Sequence, residues 1–395
     1  MKHRIRLALA ATFSAPLALG AALPAQAASA LYSPAQGGPA TGFLSTLTGN
    51  AFLASSVPFS GPGAGNENPY SLVVAPVSVG KIKKGDVLFD NFNNSDNLQG
   101  TGTTIMLYDP RTKAVSVFAH FDQKQAQCAG GIGLTAAMAV LRSGYVVVGS
   151  TPSTNGETST LGQGCLLVAN AEGRWVKTIN NAKINGPWGN MAVVDKGDSA
   201  ILFISNVGYG LKGASTKDIK HYETVVRVRF AALSGKAPKV RDITTVGKGF
   251  PARSSASAFI KGPTGLALGA NGTLYVSNAL DNSVNVIPDA LTRRAPPAQG
   301  QGMGAVLTKG GALKCPLAMV VTSQQTLIVS NALNGQLVEI DSKTGKQLGT
   351  YWADSDPAQQ PPGNGDLFGL ALVPGGKGLY YVQDDNNTLM QAMTK

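Results

Sequence analysis

The chain has 395 residues, 48 of them glycine, with 43 % hydrophobic and 14 % charged residues and a formal net charge of +11. Such a composition supplies enough apolar surface for a large core and excludes a long disordered chain. The basic residues are scattered, with Lys81, Lys83 and Lys84 and the pair Arg293 and Arg294 as the densest spots, which speaks against a nucleic-acid footprint.

The first 27 residues read as an export signal: Lys2, Arg4 and Arg6 precede an apolar run from Leu7 to Leu23, and Ala25-Gln26-Ala27 has the small-x-small pattern of a signal-peptidase site. Cleavage after Ala27 removes three basic and no acidic residues, leaving a net charge of +8, and implies a periplasmic or secreted protein. No later stretch is long enough to span a bilayer. In an exported chain disulfides persist. Cys128, Cys165 and Cys315 allow three pairings; Cys128 with Cys165 is favoured, since both fall near the same end of one repeat, which leaves Cys315 as a buried thiol.

Residues 28–68 form a lead-in rich in Gly, Pro, Ser and Ala, and residues 69–395 form one domain built of repeats. The first repeat begins near Pro69, with strands at 70–79 and 86–90 and a hairpin of 104–108 with 114–118 across Asp109-Pro110. The second starts at Gly131 and has its second strand at 145–149. The third carries Gly186-Pro187-Trp188-Gly189 and then Ile201 to Asn206. The fourth and fifth contain nearly the same phrase twice: Lys261-Gly-Pro-Thr-Gly-Leu-Ala-Leu leads to Leu-Tyr-Val-Ser-Asn278, and Lys314-Cys-Pro-Leu-Ala-Met-Val-Val leads to Leu-Ile-Val-Ser-Asn331. The sixth runs from Asp366 through Leu379 to Asp384.

Second-strand ends at Asn91, Ser150, Asn206, Asn278, Asn331 and Asp384 give six marks, spaced as in a repeat architecture. The expected fold is all-β, a six-bladed β-propeller, with seven blades as the alternative if residues 31–68 conceal another. The last repeat has room for only three strands before Lys395, and an open edge there would invite aggregation. An N-terminal strand, from residues 42–47 or 51–57, is therefore expected to close the ring.

Pro-x-Gly-Leu-Ala-Leu, Gly-x-Leu-Tyr-Val-Ser-Asn and Asn282-Ser-Val-Asn-Val-Ile287 resemble the NHL-repeat family of six-bladed propellers and the related TolB-like group, over 262–395 more closely than over 69–250. Glu67-Asn68-Pro69 is similar to the Glu-Gly-Pro that supplies a metal ligand in gluconolactonase-type propellers. The later ligand motifs of those proteins are replaced here by Pro187-Trp188-Gly189 and Pro263-Thr264-Gly265, so their oxygen cage is incomplete. No repeat carries the histidine at a strand start that a virginiamycin-lyase-like chemistry implies. The run from Asp90 to Asn97 lacks the Gly and closing Glu of an EF-hand loop.

In a four-stranded meander, the turn after the second strand and the link between blades share one face. Asn91, Asn206, Asn278, Asn331 and Asp384 are thereby expected on one rim with Trp188, as a polar ring able to take a small molecule, a protein or a peptide. The same residue types also cap strand ends by bonding their own backbone. The loops after the second strand are long in the first three repeats, which marks that sector for binding, and His221 with Glu223 is the one place where a histidine and a carboxylate gather there. No catalytic set, metal site or cofactor is evident from these residue patterns. The expectation is a monomeric, exported binding module without catalytic activity; the alternative is a propeller enzyme, a lactonase-like hydrolase or a lyase, working at the channel mouth.

Overall fold

In the computed structural model, which describes residues 42–235, 237–256 and 258–395, six sheets follow one another around a central axis. The expected export signal and residues 28–41 lie outside the described residues. Among the described residues no helix is long and apolar enough to cross a membrane.

Blade 1 has a broken inner strand, Glu67–Pro69 and Val73–Val74, both paired with Val87–Asn93, followed by Thr104–Asp109 and Ala114–His120. Blade 2 is Leu134–Val140, Val146–Ser150, Cys165–Ala169 and Trp175–Ile179. Blade 3 opens with Ala192–Asp195 and Ser199–Asn206, then extends into the long strands Lys220–Ala231 and Lys239–Ser255, with Phe259–Lys261 added at the edge. Blade 4 is Pro263–Leu268, Leu274–Asn278, Ser283–Ile287 and Ala305–Lys309; blade 5 is Pro316–Val321, Thr326–Asn331, Gln336–Asp341 and Gln347–Trp352.

Blade 6 takes three strands from the C-terminus, Leu367–Leu372, Gly378–Gln383 and Thr388–Thr394, and its outer strand from the N-terminus. That strand, Leu47–Ser55, straddles the two expected candidates and pairs antiparallel with the last one, from Leu47 opposite Thr394 to Ser55 opposite Thr388. The ring is closed by its own front end.

The recurring hairpin between third and fourth strands has a local cause. Asn170 Oδ1 accepts from the backbone of Glu172 and Arg174, and Asp341 Oδ1 from Lys343 and Thr344, so each side chain ties its own turn. Each turn ends in a residue of positive φ, Gly173 or Gly345. A Cβ at Gly345 would lie 2.0 Å from the Leu307 carbonyl of the neighbouring blade, so glycine there serves both the turn and the close approach of blades.

The core lies between blades rather than within them. One cluster joins Leu88, Ile105 and Phe118 of blade 1 to Leu134, Met138 and Val148 of blade 2. Another carries the contact across the closure, from Ala54, Tyr380 and Val382 to Val87, Phe89 and Met106.

The Ser-Asn strand end has two separate jobs. Ser205, Ser277 and Ser330 are fully buried, and their hydroxyls donate to the carbonyls of Thr264, Leu317 and Phe368, each on the inner strand of the next blade, at 2.7, 2.7 and 2.9 Å. Ser277 Oγ also accepts from Gly265 N–H at 2.7 Å. Substituting Ser277→Ala removes both bonds and orphans a buried donor and acceptor. The expected cost is about 2 kcal/mol, read as a lower urea midpoint with an unchanged slope; an unchanged midpoint would show that water replaces the hydroxyl.

Candidate functional site

The asparagines that follow those serines are not free to meet a ligand. Asn91, Asn206, Asn278 and Asn331 are all buried, at 1 % exposure or less. Their amides donate to carbonyls of the chain that precedes the blade: Asn91 to Ser56 at 2.9 Å, Asn206 to Lys183 at 3.0 Å and Asn331 to Ala312 at 2.8 Å in the entering links, and Asn278 to Pro251 at 3.1 Å in the last long strand of blade 3. The side chain fastens the preceding chain to the second strand, a task for an amide whatever the protein binds.

Trp188 belongs to an aromatic plug over the axis. Tyr70 stacks on Phe368 with ring centroids 3.9 Å apart and on Phe92 at 4.3 Å; Trp188 meets Phe92 edge-on at 5.4 Å and stacks on Phe259 at 6.1 Å. Leu161, Val207 and Leu211, from the long loops of blades 2 and 3, pack into the same cluster. The sector marked by loop length thus folds down and covers the plug. Cys128 and Cys165 are disulfide-bonded in the core between blades 1 and 2, and Cys315 is a buried free thiol raised to about 11 by burial.

Beneath the plug, Asn190 ties three blades together. Its amide donates to the carbonyls of Leu266 and Met319 at 2.9 and 3.1 Å, and its Oδ1 accepts from Met319 N–H at 3.0 Å. On the far side a channel of about 560 Å³ is lined by inner strands of every blade, including Val73, Met138, Val193, Leu268, Val320 and Leu372. This lining carries few groups that could do chemistry.

His221 is exposed, whereas Glu223 is 3 % exposed with one oxygen, Oε1, unpartnered. Both lie on the strand Lys220–Ala231 rather than in a loop, and the structure does not bring them into one site.

Asp384 is the candidate that lies among other carboxylates. Register places Gln383, opposite Leu367, where blades 4 and 5 have Asn278 opposite Pro263 and Asn331 opposite Pro316. Asp384 therefore stands one residue further on, in the turn, and accepts from the Asn68 amide at 3.5 Å. Around it the structure gathers three carboxylates that the repeat pattern did not single out: one oxygen from each of Asp354, Asp366 and Asp385 lies within 4.8 Å of the others. Asp354 begins the link leaving blade 5, Asp366 precedes the inner strand of blade 6, and Asp385 sits in the turn after its second strand.

Two glutamines frame the group. Gln359 donates to Asp366 Oδ1 at 2.9 Å and to Asp385 Oδ2 at 3.0 Å, and Gln383 donates to Asp354. Burial pushes the pKa of Asp366 up, and the charges of Asp385 and Asp354 push it further. Burial and then Asp366 and Asp385 do the same to Asp384. No ion pair among the described residues involves any of these aspartates. Phe368 of the plug follows Asp366 by two residues, so the carboxylates flank the upper mouth where blades 5, 6 and 1 meet.

No protein-family profile matches the chain, and no curated protein matches it in sequence. Solved structures do match in shape. A gluconolactonase from Xanthomonas campestris is 12 % identical with a TM-score of 0.51, covering 88 % of this chain and 89 % of its own. A glucose dehydrogenase is 15 % identical with a TM-score of 0.50, covering 88 % and 99 %. The shared feature is the six-bladed propeller.

That finding corrects the expectation of a non-catalytic binding module: both of these neighbours are enzymes, while the likeness itself, at 12 and 15 % identity, shows the fold. The physical reason for the misjudgement is local: ionisable groups do converge at the mouth, but from segments distant in sequence.

Proposed function

We propose that this propeller is an enzyme, a hydrolase of lactone-type esters or a lyase, working at the upper mouth between blades 5, 6 and 1. The observation that carries the reading is the convergence of Asp354, Asp366, Asp384 and Asp385 beside the aromatic plug. Hydrolysis of a cyclic ester needs a base to take a proton from the attacking water, and a carboxylate within hydrogen-bond reach can serve. Asp385 is the exposed member of the group and meets that water first. Phe368, the half-buried ring at the edge of the plug, offers an apolar contact for a small ring.

The recurrent Ser-Asn strand end supports a relation to NHL-type propellers, and the Cys128–Cys165 bond supports an oxidising location, periplasmic or extracellular. One domain and one mouth suit a monomer acting on a small molecule.

The test is acid release from a panel of aldonolactones and simple lactones, followed in weak buffer. Turnover is expected from the wild type, and Asp385→Asn is expected to lower kcat by about a hundredfold or more. Hydrolysis no faster than in buffer, or an Asp385→Asn enzyme of full activity, would remove the hydrolase reading; elimination from a uronate-type substrate would then favour the lyase.

A further inference from the structure

We infer that Asp354, Asp366 and Asp385 hold a divalent, oxygen-seeking cation of the calcium class at the junction of blades 5 and 6. Their three oxygens lie within 4.8 Å of one another. Two ligand oxygens each about 2.4 Å from one ion can be at most about 4.8 Å apart, so every pair in the trio is within the reach of a shared ion.

A second observation points the same way independently of the clustering. Asp366 is fully buried, yet its Oδ2 has no hydrogen-bond partner. Oδ1 of the same carboxylate takes the Gln359 amide, so the side chain is oriented and one oxygen is left aimed without a donor. Gln359 Oε1 is also buried and unpartnered. Two acceptors shielded from water and lacking any donor are what a cation satisfies, and an amide oxygen is an ordinary ligand for a hard ion.

The surroundings supply the remaining features of such a site. Gln383 fixes Asp354, and Gln359 fixes Asp366 and Asp385, so the ligands are held by partners of their own. The set contains oxygen only, which favours calcium, magnesium or manganese over zinc. Ligands drawn from an irregular link and a turn suit the adaptable shell of calcium better than the rigid octahedron of magnesium. The position is off the axis: Trp188 and Phe368 occupy the centre of the mouth.

The ion stands whether or not the site turns over lactones, because its test reads binding. Protein stripped with chelator is titrated calorimetrically with calcium and with magnesium, each to about 5 mM, above the range of extracellular calcium modules. One calcium per chain is expected, with a melting temperature several degrees higher when loaded. Asp366→Asn and Asp354→Asn are expected to weaken binding at least tenfold, and Asp356→Asn, outside the trio, to leave it within twofold. Circular dichroism establishes that each variant is folded; should Asp366→Asn fail to fold, Asp354→Asn and Gln359→Ala carry the same test. No heat and no thermal shift with calcium, binding confined to magnesium, or calcium affinity untouched by the trio's substitutions would overturn the inference. Calcium binding in a protein without lactone turnover would leave it standing and sink the hydrolase reading alone.

Discussion

Replacing Glu339 with alanine is expected to unlatch the first strand and to lower the stability of the ring by about 3–5 kcal/mol. Glu339 belongs to blade 5 and is fully buried. Its carboxylate accepts the backbone N–H groups of Phe43 and Leu44 at 3.0 and 2.9 Å, and the Thr326 hydroxyl at 2.6 Å. The two N–H groups open the short turn Phe43–Thr46 that leads into Leu47–Ser55. One buried side chain therefore sets where the ring-closing strand enters. A bond from an amide to a charged acceptor contributes about 1.5–3 kcal/mol, and here two such bonds break together.

Released, the first strand would expose the edge of Thr388–Thr394 along its length, a template for pairing with another chain. Urea unfolding measures the loss, and limited proteolysis reports whether cleavage moves into residues 42–56. Glu339→Gln separates hydrogen bonding from packing. It keeps the volume but turns one acceptor into a donor that faces an N–H, so it is expected to be nearly as damaging. If Glu339→Gln were neutral, the latch would be a matter of shape alone.

The ring was legible in the sequence because its joints repeat. A serine that bonds the next blade and an asparagine that bonds the preceding chain must recur wherever those joints recur, as at Ser205-Asn206, Ser277-Asn278 and Ser330-Asn331. The same recurrence misled the reading of the site, since residues that repeat for structural reasons are occupied by them. The aspartates of the mouth do not repeat. They come from a link, a strand start and a turn, and only the closure of blade 6 against blade 5 brings them together. A signal was nonetheless present: between residues 354 and 385 the chain has five aspartates and Lys377 as its one basic residue, against a net charge of +11 overall. In blade 6 the register also slips by one residue, which moves Asp384 out of the asparagine position and into the turn.

From pH 5 to pH 8 the ring is expected to lose stability, and Asp90 is one cause beside Glu223 and the raised aspartates Asp366 and Asp384. The Asp90 carboxyl is fully buried; Oδ1 accepts from Ser71 N–H at 2.9 Å, and Oδ2 has no partner. Burial, opposed in part by the Ser71 bonds, raises its pKa from 3.8 to about 7. Burial likewise raises Glu223 from 4.5 to about 7, against the Gly208 N–H that favours its charged form. Between their ordinary and raised values the folded chain keeps protons that the unfolded chain has released. The stability tied to those protons is fully present below about pH 4 and is lost as pH rises through about 7. A tenfold change in acidity is worth about 1.4 kcal/mol, so between pH 5 and pH 8 Asp90 alone can account for a loss of about 3 kcal/mol.

The position explains why a proton is useful there. Asp90 precedes Asn91 as Ser205, Ser277 and Ser330 precede their asparagines, and each of those serines donates to the next blade. A protonated carboxyl has the same donor; a carboxylate has none. Asp90→Asn supplies a donor that does not titrate, so the variant is expected to flatten the pH dependence and to be the more stable protein at pH 8. Adding Glu223→Gln should flatten it further. Urea midpoints at pH 5, 6, 7 and 8 for the three proteins decide the matter. A variant curve parallel to that of the wild type would mean that Asp90 enters the fold charged.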